Sequence, residues 1–237
     1  MQSIFYPANE RGEKNIGWLN SRFSFSFSNY RNPARKNFGL LHTFNDDVVQ
    51  PKGGFGLHPH MNMEIISVLL KGTMNHKDSL GYAEIVQADA VQIMSAGSGI
   101  RHEEHNVGND EVHFLQIWIE PKIANIQPRY QRRNFPKQER TNELTTIVSN
   151  EEGVKHCWIN QNARISLGYF TEKTNQSYHF KNKENSCAFI FTISGSLIIA
   201  NHQLNERDGA GFWDTEKLNL SIEPNTEFIV IEVPINH

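Results

Sequence analysis

The sequence predicts an all-β protein built as two β-barrels in tandem. Short apolar or alternating runs punctuated by Gly, Asn, Asp and Pro dominate, and long helical periods are hard to find. Residues 188–196 can be laid over 65–73 with Gly195 on Gly72, each an apolar strand entering a glycine turn. In an extended strand, residues two apart share a face. His58 with His60, and His102 with Glu104, are two such pairs. If their segments lie close together inside one barrel, three imidazoles and one carboxylate converge, enough to hold a divalent transition metal.

Taken in order, Phe23, Phe25 and Phe27 alternate with Ser24, Ser26 and Ser28, which describes a strand with one aromatic and one small polar face. Residues 38–44 read as the next strand, expected to end at Asn45-Asp46-Asp47. After the His58/His60 segment, a β-rich run over 63–70 stops at Lys71-Gly72, and a hairpin returns through Thr73 to His76. Asp78-Ser79-Leu80-Gly81 is a turn signal, with strands expected over 83–87 and 91–94. The small residues Ser95-Ala96-Gly97-Ser98-Gly99 allow a tight turn just before His102. Residues 112–120 close the first half, with Phe114, Gln116 and Trp118 on one face and His113, Leu115, Ile117 and Ile119 on the other.

Residues 122–139 change character, with two prolines and the cluster Arg129, Arg132, Arg133 and Lys137, and read as a solvated connector across both halves. The expected organisation is a metal-binding domain over 1–125, a connector over 126–145 and a second barrel over 146–237. Under the internal alignment, positions 58 and 60 fall on Lys181 and Lys183, and 209–214 offers no His-x-Glu, so the second barrel is expected to hold no metal.

The 237 residues, 38 % apolar and 11 % aromatic, suffice for real cores. A net charge of −3 and a pI near 6.4 give no electrostatic reason to bind nucleic acid or an acidic membrane. The most apolar run, 187–200, is too short for a membrane span and is interrupted by Thr192, Ser194, Gly195 and Ser196. Two cysteines, Cys157 and Cys187, fit a reducing compartment, and the N-terminus lacks a signal-peptide pattern; a cytoplasmic monomer is expected.

The segments Trp18, Ser24-Phe25-Ser26-Phe27-Ser28-Asn29-Tyr30, Asn45-Asp46-Asp47-Val48, Gly54-Phe55-Gly56-Leu57-His58-Pro59-His60, His76-Lys77-Asp78-Ser79 and 92–102 together resemble the pirin family of bicupins, densely over 18–118. The resemblance implies two tandem cupin barrels (double-stranded β-helix, jelly-roll) and an N-terminal metal site of His58, His60, His102 and Glu104. It also implies, for bacterial members, a quercetin 2,3-dioxygenase activity, and for animal members a nuclear iron protein that modulates transcription factors. Glu103 stands where many members carry Ser. The general cupin pattern, His-x-His-x3-Glu with a later His-x3-Asn, is met by His58, His60, Glu64, His102 and Asn106, and would make Glu64 the carboxylate ligand instead. Glu104, which shares a face with His102, is the choice here, with Glu64 given a structural role.

Such a donor set suits Fe(II), placed first, and also Ni, Co, Cu, Mn or Zn. Glu104 is then both ligand and general base toward a flavonol or other enediol substrate, with O2 as co-substrate and carbon monoxide as product. Phe55, Phe44 and Trp118 are candidates for an apolar wall. His105 and Glu103 should face away from His102, and His76 and His113 are read as structural. The alternative function is a metal- and redox-dependent regulatory protein that binds a transcription factor or metabolic enzyme without turnover.

Overall fold

The computed structural model describes residues 1–153, 155–182 and 185–235, and among them it is almost entirely β. A seven-stranded sheet runs in the order Arg129–Asn134, Ala90–Ser95, Glu64–Lys71, Val112–Ile119, Leu41–Val49, Leu19–Phe23, Gly12–Asn15. A four-stranded sheet, Gly54–His60, Ile100–Asn106, Thr73–Asp78, Ala83–Gln87, completes the first barrel. The second barrel repeats the plan. Its large sheet runs Gln2–Tyr6, Gly209–Trp213, Ser186–Ser194, Thr226–Pro234, Arg164–Phe170, Glu143–Ser149, Cys157–Trp158, and its small sheet Thr174–His179, Lys217–Ile222, Ser196–Ile199, His202–Asn205.

The internal repeat has a physical basis in its two turns. Gly72 and Gly195 sit at φ +84 and +77, and a Cβ there would meet the Glu111 carbonyl at 2.6 Å and Thr226 Oγ1 at 2.5 Å. Each therefore closes a strand against a neighbouring segment in a conformation that only glycine takes without strain. Alternating burial then gives each large sheet two apolar faces. One face fills its own barrel; the other meets the opposite large sheet in a shared core that includes Phe44, Ile66, Leu115 and Ile117 from the first half and Phe189, Phe191, Ile229 and Ile231 from the second.

Four segments differ from the sequence reading. The strand beginning at Leu19 ends at Phe23; Phe25 enters the shared core and Phe27 turns back to bridge Tyr30. Leu41–Val49 runs straight through Asn45-Asp46-Asp47, all three buried, because each finds a partner across both neighbouring strands. Within the connector, Arg129–Asn134 adds an edge strand to the first barrel. At the N-terminus, Gln2–Tyr6 pairs with Gly209–Trp213 of the second barrel, and Tyr6 packs edge-on against Phe25 and Phe189.

The second barrel is filled with side chains such as Phe170, Tyr178, Phe212, Leu218 and Phe228. Lys181 lies on a loop, paired to Glu151 at 3.0 Å; Lys183 lies outside the described residues. No helix among the described residues is long and apolar enough to cross a membrane.

Candidate metal centre

The centre is built on the four-stranded sheet of the first barrel. Directly opposed residues of antiparallel strands share a face. His102 lies opposite His58 on one side and Asp78 on the other, and Glu104 lies opposite Phe55 and His76. A bulge between His102 and Glu104 resets the register by one residue, so that Phe55 falls across from Glu104. Gly54 permits this close pairing, since a Cβ there would meet the Glu104 carbonyl at 2.5 Å. The inner face thus carries His58, His102 and Asp78 in one row and Phe55, Glu104 and His76 in the next.

The three imidazoles come together. Ring centroids are separated by 4.8 Å for His58 and His60, 4.4 Å for His58 and His102, and 5.0 Å for His60 and His102. One ring nitrogen from each lies within 4.8 Å of the others. His58 Nδ1 is 2.8 Å from the Gly56 carbonyl, which can only accept; Nδ1 therefore carries the hydrogen and Nε2 presents its lone pair. His102 is 2 % exposed, yet among the described residues neither of its ring nitrogens has a hydrogen-bond partner. Buried polar atoms are satisfied as a rule, and in a neutral ring one of these two bare nitrogens is a lone pair, which calls for a cation. Burial, with the charge of His58 added, lowers His60 to about 4. His102 is lowered to about 2, chiefly by burial and then by its imidazole neighbours. Both are neutral at pH 7, the form in which histidine binds a metal. The residues present therefore fit a divalent transition metal.

Glu104 belongs to an overlapping group, in which its carboxylate, His102 and His76 offer ligand atoms within 4.8 Å of one another. Its Oε1 accepts from Gln92 Nε2 at 2.5 Å. The Gln92 carbonyl oxygen in turn accepts from the Tyr130 hydroxyl at 3.1 Å, and Ser67 Oγ stands 3.3 Å from Gln92 Nε2. Burial pushes the Glu104 carboxyl up to about 7; the Gln92 hydrogen bond opposes the rise and the charge of Asp47 adds to it. His76 donates through Nε2 to Asp78 at 2.9 Å and stacks on Tyr130 at 4.2 Å.

The other sequence candidates lie elsewhere. Glu64 accepts from Ser95 at 2.7 Å and from the Asn160 backbone N–H at 3.1 Å, tying the two halves together, and belongs to neither ligand group. Glu103 points outward toward Lys77, 3.8 Å away. His113 bonds Asp46 at 2.6 Å on the opposite side of the large sheet. Asn106 ties down its own loop through the Val49 and Asp110 carbonyls.

His58, His60 and Glu104 open onto a cavity of about 250 Å³ whose walls include Phe23, Phe27, Phe55 and Trp118. The Trp118 ring stands edge-on to His60 at 5.1 Å and to Phe27 at 5.3 Å. Phe44, expected in this wall, instead packs in the shared core against Phe189 and Phe191, because it occupies the outward face of its strand. Asn45, Asp47 and Gln92 escaped the sequence reading. The available signal was register: Asn45, Gln116, Ser67 and Gln92 form one cross-strand row, a polar stripe on the barrel's inner wall.

The family model described as Pirin matches residues 5–119, and that of the quercetinase C-terminal cupin domain matches 146–233. Quercetin 2,3-dioxygenase of Escherichia coli K12 is 36 % identical over 228 residues, covering 96 % of both chains. A pirin-like protein of Caulobacter vibrioides is 34 % identical, covering 95 % of this chain and 97 % of its own. Among solved structures, the bacterial pirin YhhW from Escherichia coli in complex with nickel(II) is similar with a TM-score of 0.93 and 32 % identity, over 99 % of this chain and all of that one.

Proposed function

The chain belongs to the pirin family, and from that premise we propose that it is a dioxygenase that opens the heterocyclic ring of a flavonol with O2 and releases carbon monoxide. The observation that carries this reading is the meeting of His58, His60 and His102, with bare ring nitrogens on His102, beside a buried carboxyl on the wall of an aromatic cavity. His58, His60, His102 and Glu104 would hold one divalent transition metal, which when bound supplies Lewis acidity toward a substrate hydroxyl and redox chemistry toward dioxygen. Fe(II) and Ni(II) both suit this donor set.

The protein's own part can be followed atom by atom. His58 is fixed in one tautomer by the Gly56 carbonyl, and the neutral His60 and His102 present lone pairs. Gln92 engages Oε1 of Glu104, which leaves Oε2 to take the proton of the flavonol 3-hydroxyl. Burial pushes this carboxyl up to about 7 in the metal-free protein, and a bound cation would hold it as the carboxylate, the form that can take a proton. Phe23, Phe55 and Trp118 offer a flat polyphenol apolar contact and limit water around the reacting ring.

The test is aerobic loss of quercetin absorbance with metal-reconstituted protein, measured beside His58→Ala. Turnover by the wild type, with the variant reduced to the rate of free metal, is the expected result. Equal rates for both proteins, or turnover by neither above free metal, would overturn the reading.

A further inference from the structure

The cavity holds more buried polar atoms than the four candidate ligands account for. On the Leu41–Val49 strand, Asn45 and Asp47 share the inner face, while Asp46 between them turns away to Arg11 and Arg207. Asn45 is 2 % exposed and Asp47 4 %. The Ser21 hydroxyl bonds the Asp47 carboxylate. Even so, Asp47 Oδ1 and Asn45 Oδ1 have no hydrogen-bond partner among the described residues, and nor does Trp118 Nε1. All three side chains line the same cavity as His58, His60 and Glu104.

The Asn45 oxygen and an ionised Asp47 oxygen accept, and the Trp118 indole donates. A ligand that satisfies them must bring hydroxyl or amine hydrogens to Asn45 and Asp47 and an oxygen to the Trp118 indole. The remaining walls, Phe23, Phe27 and Phe55, favour a flat apolar ring between those polar points. We propose that Asn45 and Asp47 form a hydroxyl-recognition subsite, which takes the phenolic O–H donors of a polyhydroxylated aromatic substrate while Trp118 donates to an oxygen of the same molecule. The assignment rests on the reading of this cavity as the substrate site, and it names what selects the substrate there. A site built to bond a hydroxyl rejects the analogue that lacks it, because its own buried atoms are then left bare.

Resorcinol and 1,3-dimethoxybenzene test this directly. They share a ring and a substitution pattern, only the first has O–H donors, and its two oxygens are too far apart to chelate one metal. Each is titrated under argon into the metal-loaded protein and followed by tryptophan fluorescence. The wild type should bind resorcinol at least about tenfold more tightly. Asp47→Asn and Asn45→Ala should each erode that preference, and if Asp47→Asn does not fold, Asn45→Ala decides. Equal affinity for the two probes in the wild type, or an undiminished preference in every folded variant, overturns the subsite. Turnover of quercetin and of 3-hydroxyflavone then separates the subsite from the reaction. Degradation of both with equal kcat/KM sinks the subsite and leaves the dioxygenase standing. Degradation of neither, with the resorcinol preference intact, sinks the flavonol reaction and leaves the subsite standing.

Discussion

At the scale of single residues, the decisive group is a buried carboxyl whose proton competes with any cation for its oxygens. Glu104 titrates near 7, whereas His60 and His102 stay neutral down to about 4 and about 2. In the metal-free protein, burial favours the protonated carboxyl. Its contribution to stability is complete below its unperturbed value of 4.5 and is lost as pH rises through about 7. Binding a cation expels that proton. The affinity for Ni(II), measured by competition with a chromophoric chelator, should therefore fall about tenfold for each pH unit just below 7, and Glu104→Gln should remove that slope. A wild-type affinity that is flat just below pH 7 would show that Glu104 is no ligand. The histidines were legible because His-x-His and His-x-Glu carry the period of a strand. Gln92 and Tyr130 were not, because an amide or a phenol at an inward position looks the same in sequence whether it meets a carboxylate or water.

At the scale of elements, long-range pairing overrode local composition. Asn45-Asp46-Asp47 has the makeup of a turn, yet strands on both sides supply its backbone partners and turn Asn45 and Asp47 into the cavity. The basic cluster of the connector concealed an edge strand in the same way: on one face of it Tyr130 is buried, and Arg132 pairs with Glu84 at 2.7 Å nearer the surface. The N-terminal strand is the clearest case, since its partner lies some two hundred residues away. Tyr6, 3 % exposed, packs on rings from both halves, so Tyr6→Ala should cost about 3 kcal/mol in urea unfolding, as large-to-small changes do in well-packed cores. A loss below about 1 kcal/mol would mean that the strand adds little to the second barrel.

At the scale of the whole molecule, a buried ion cluster joins the halves. Asp46 meets Arg11 at 3.1 Å, His113 at 2.6 Å and, from the second half, Arg207 at 3.2 Å. Burial alone would raise its carboxyl, but the His113 hydrogen bond and the charges of Arg11 and Arg207 outweigh burial and bring it down to about 2. A folded value below the ordinary 3.8 stabilises the protein above that pH, and the benefit disappears as pH falls through about 2. The amount is about 2 kcal/mol. Asp46→Asn should abolish that acid-range dependence in urea titrations and, by leaving the Arg11 guanidinium buried and uncompensated, lower stability by about 3 kcal/mol at pH 7. An unchanged acid profile would refute the assignment. The tandem repeat was readable from two glycine turns, but the contact between the barrels was not, since no local pattern says which of two apolar faces looks outward.

The wall that the two large sheets share makes each half a stranger to any other companion. Its aromatic knobs, Phe44 against Phe189 and Phe191 foremost, are cut to fit one mate. Chimeras that trade the first barrel between relatives should then inherit a mismatched seam, and evolution must revise both sides of it in step.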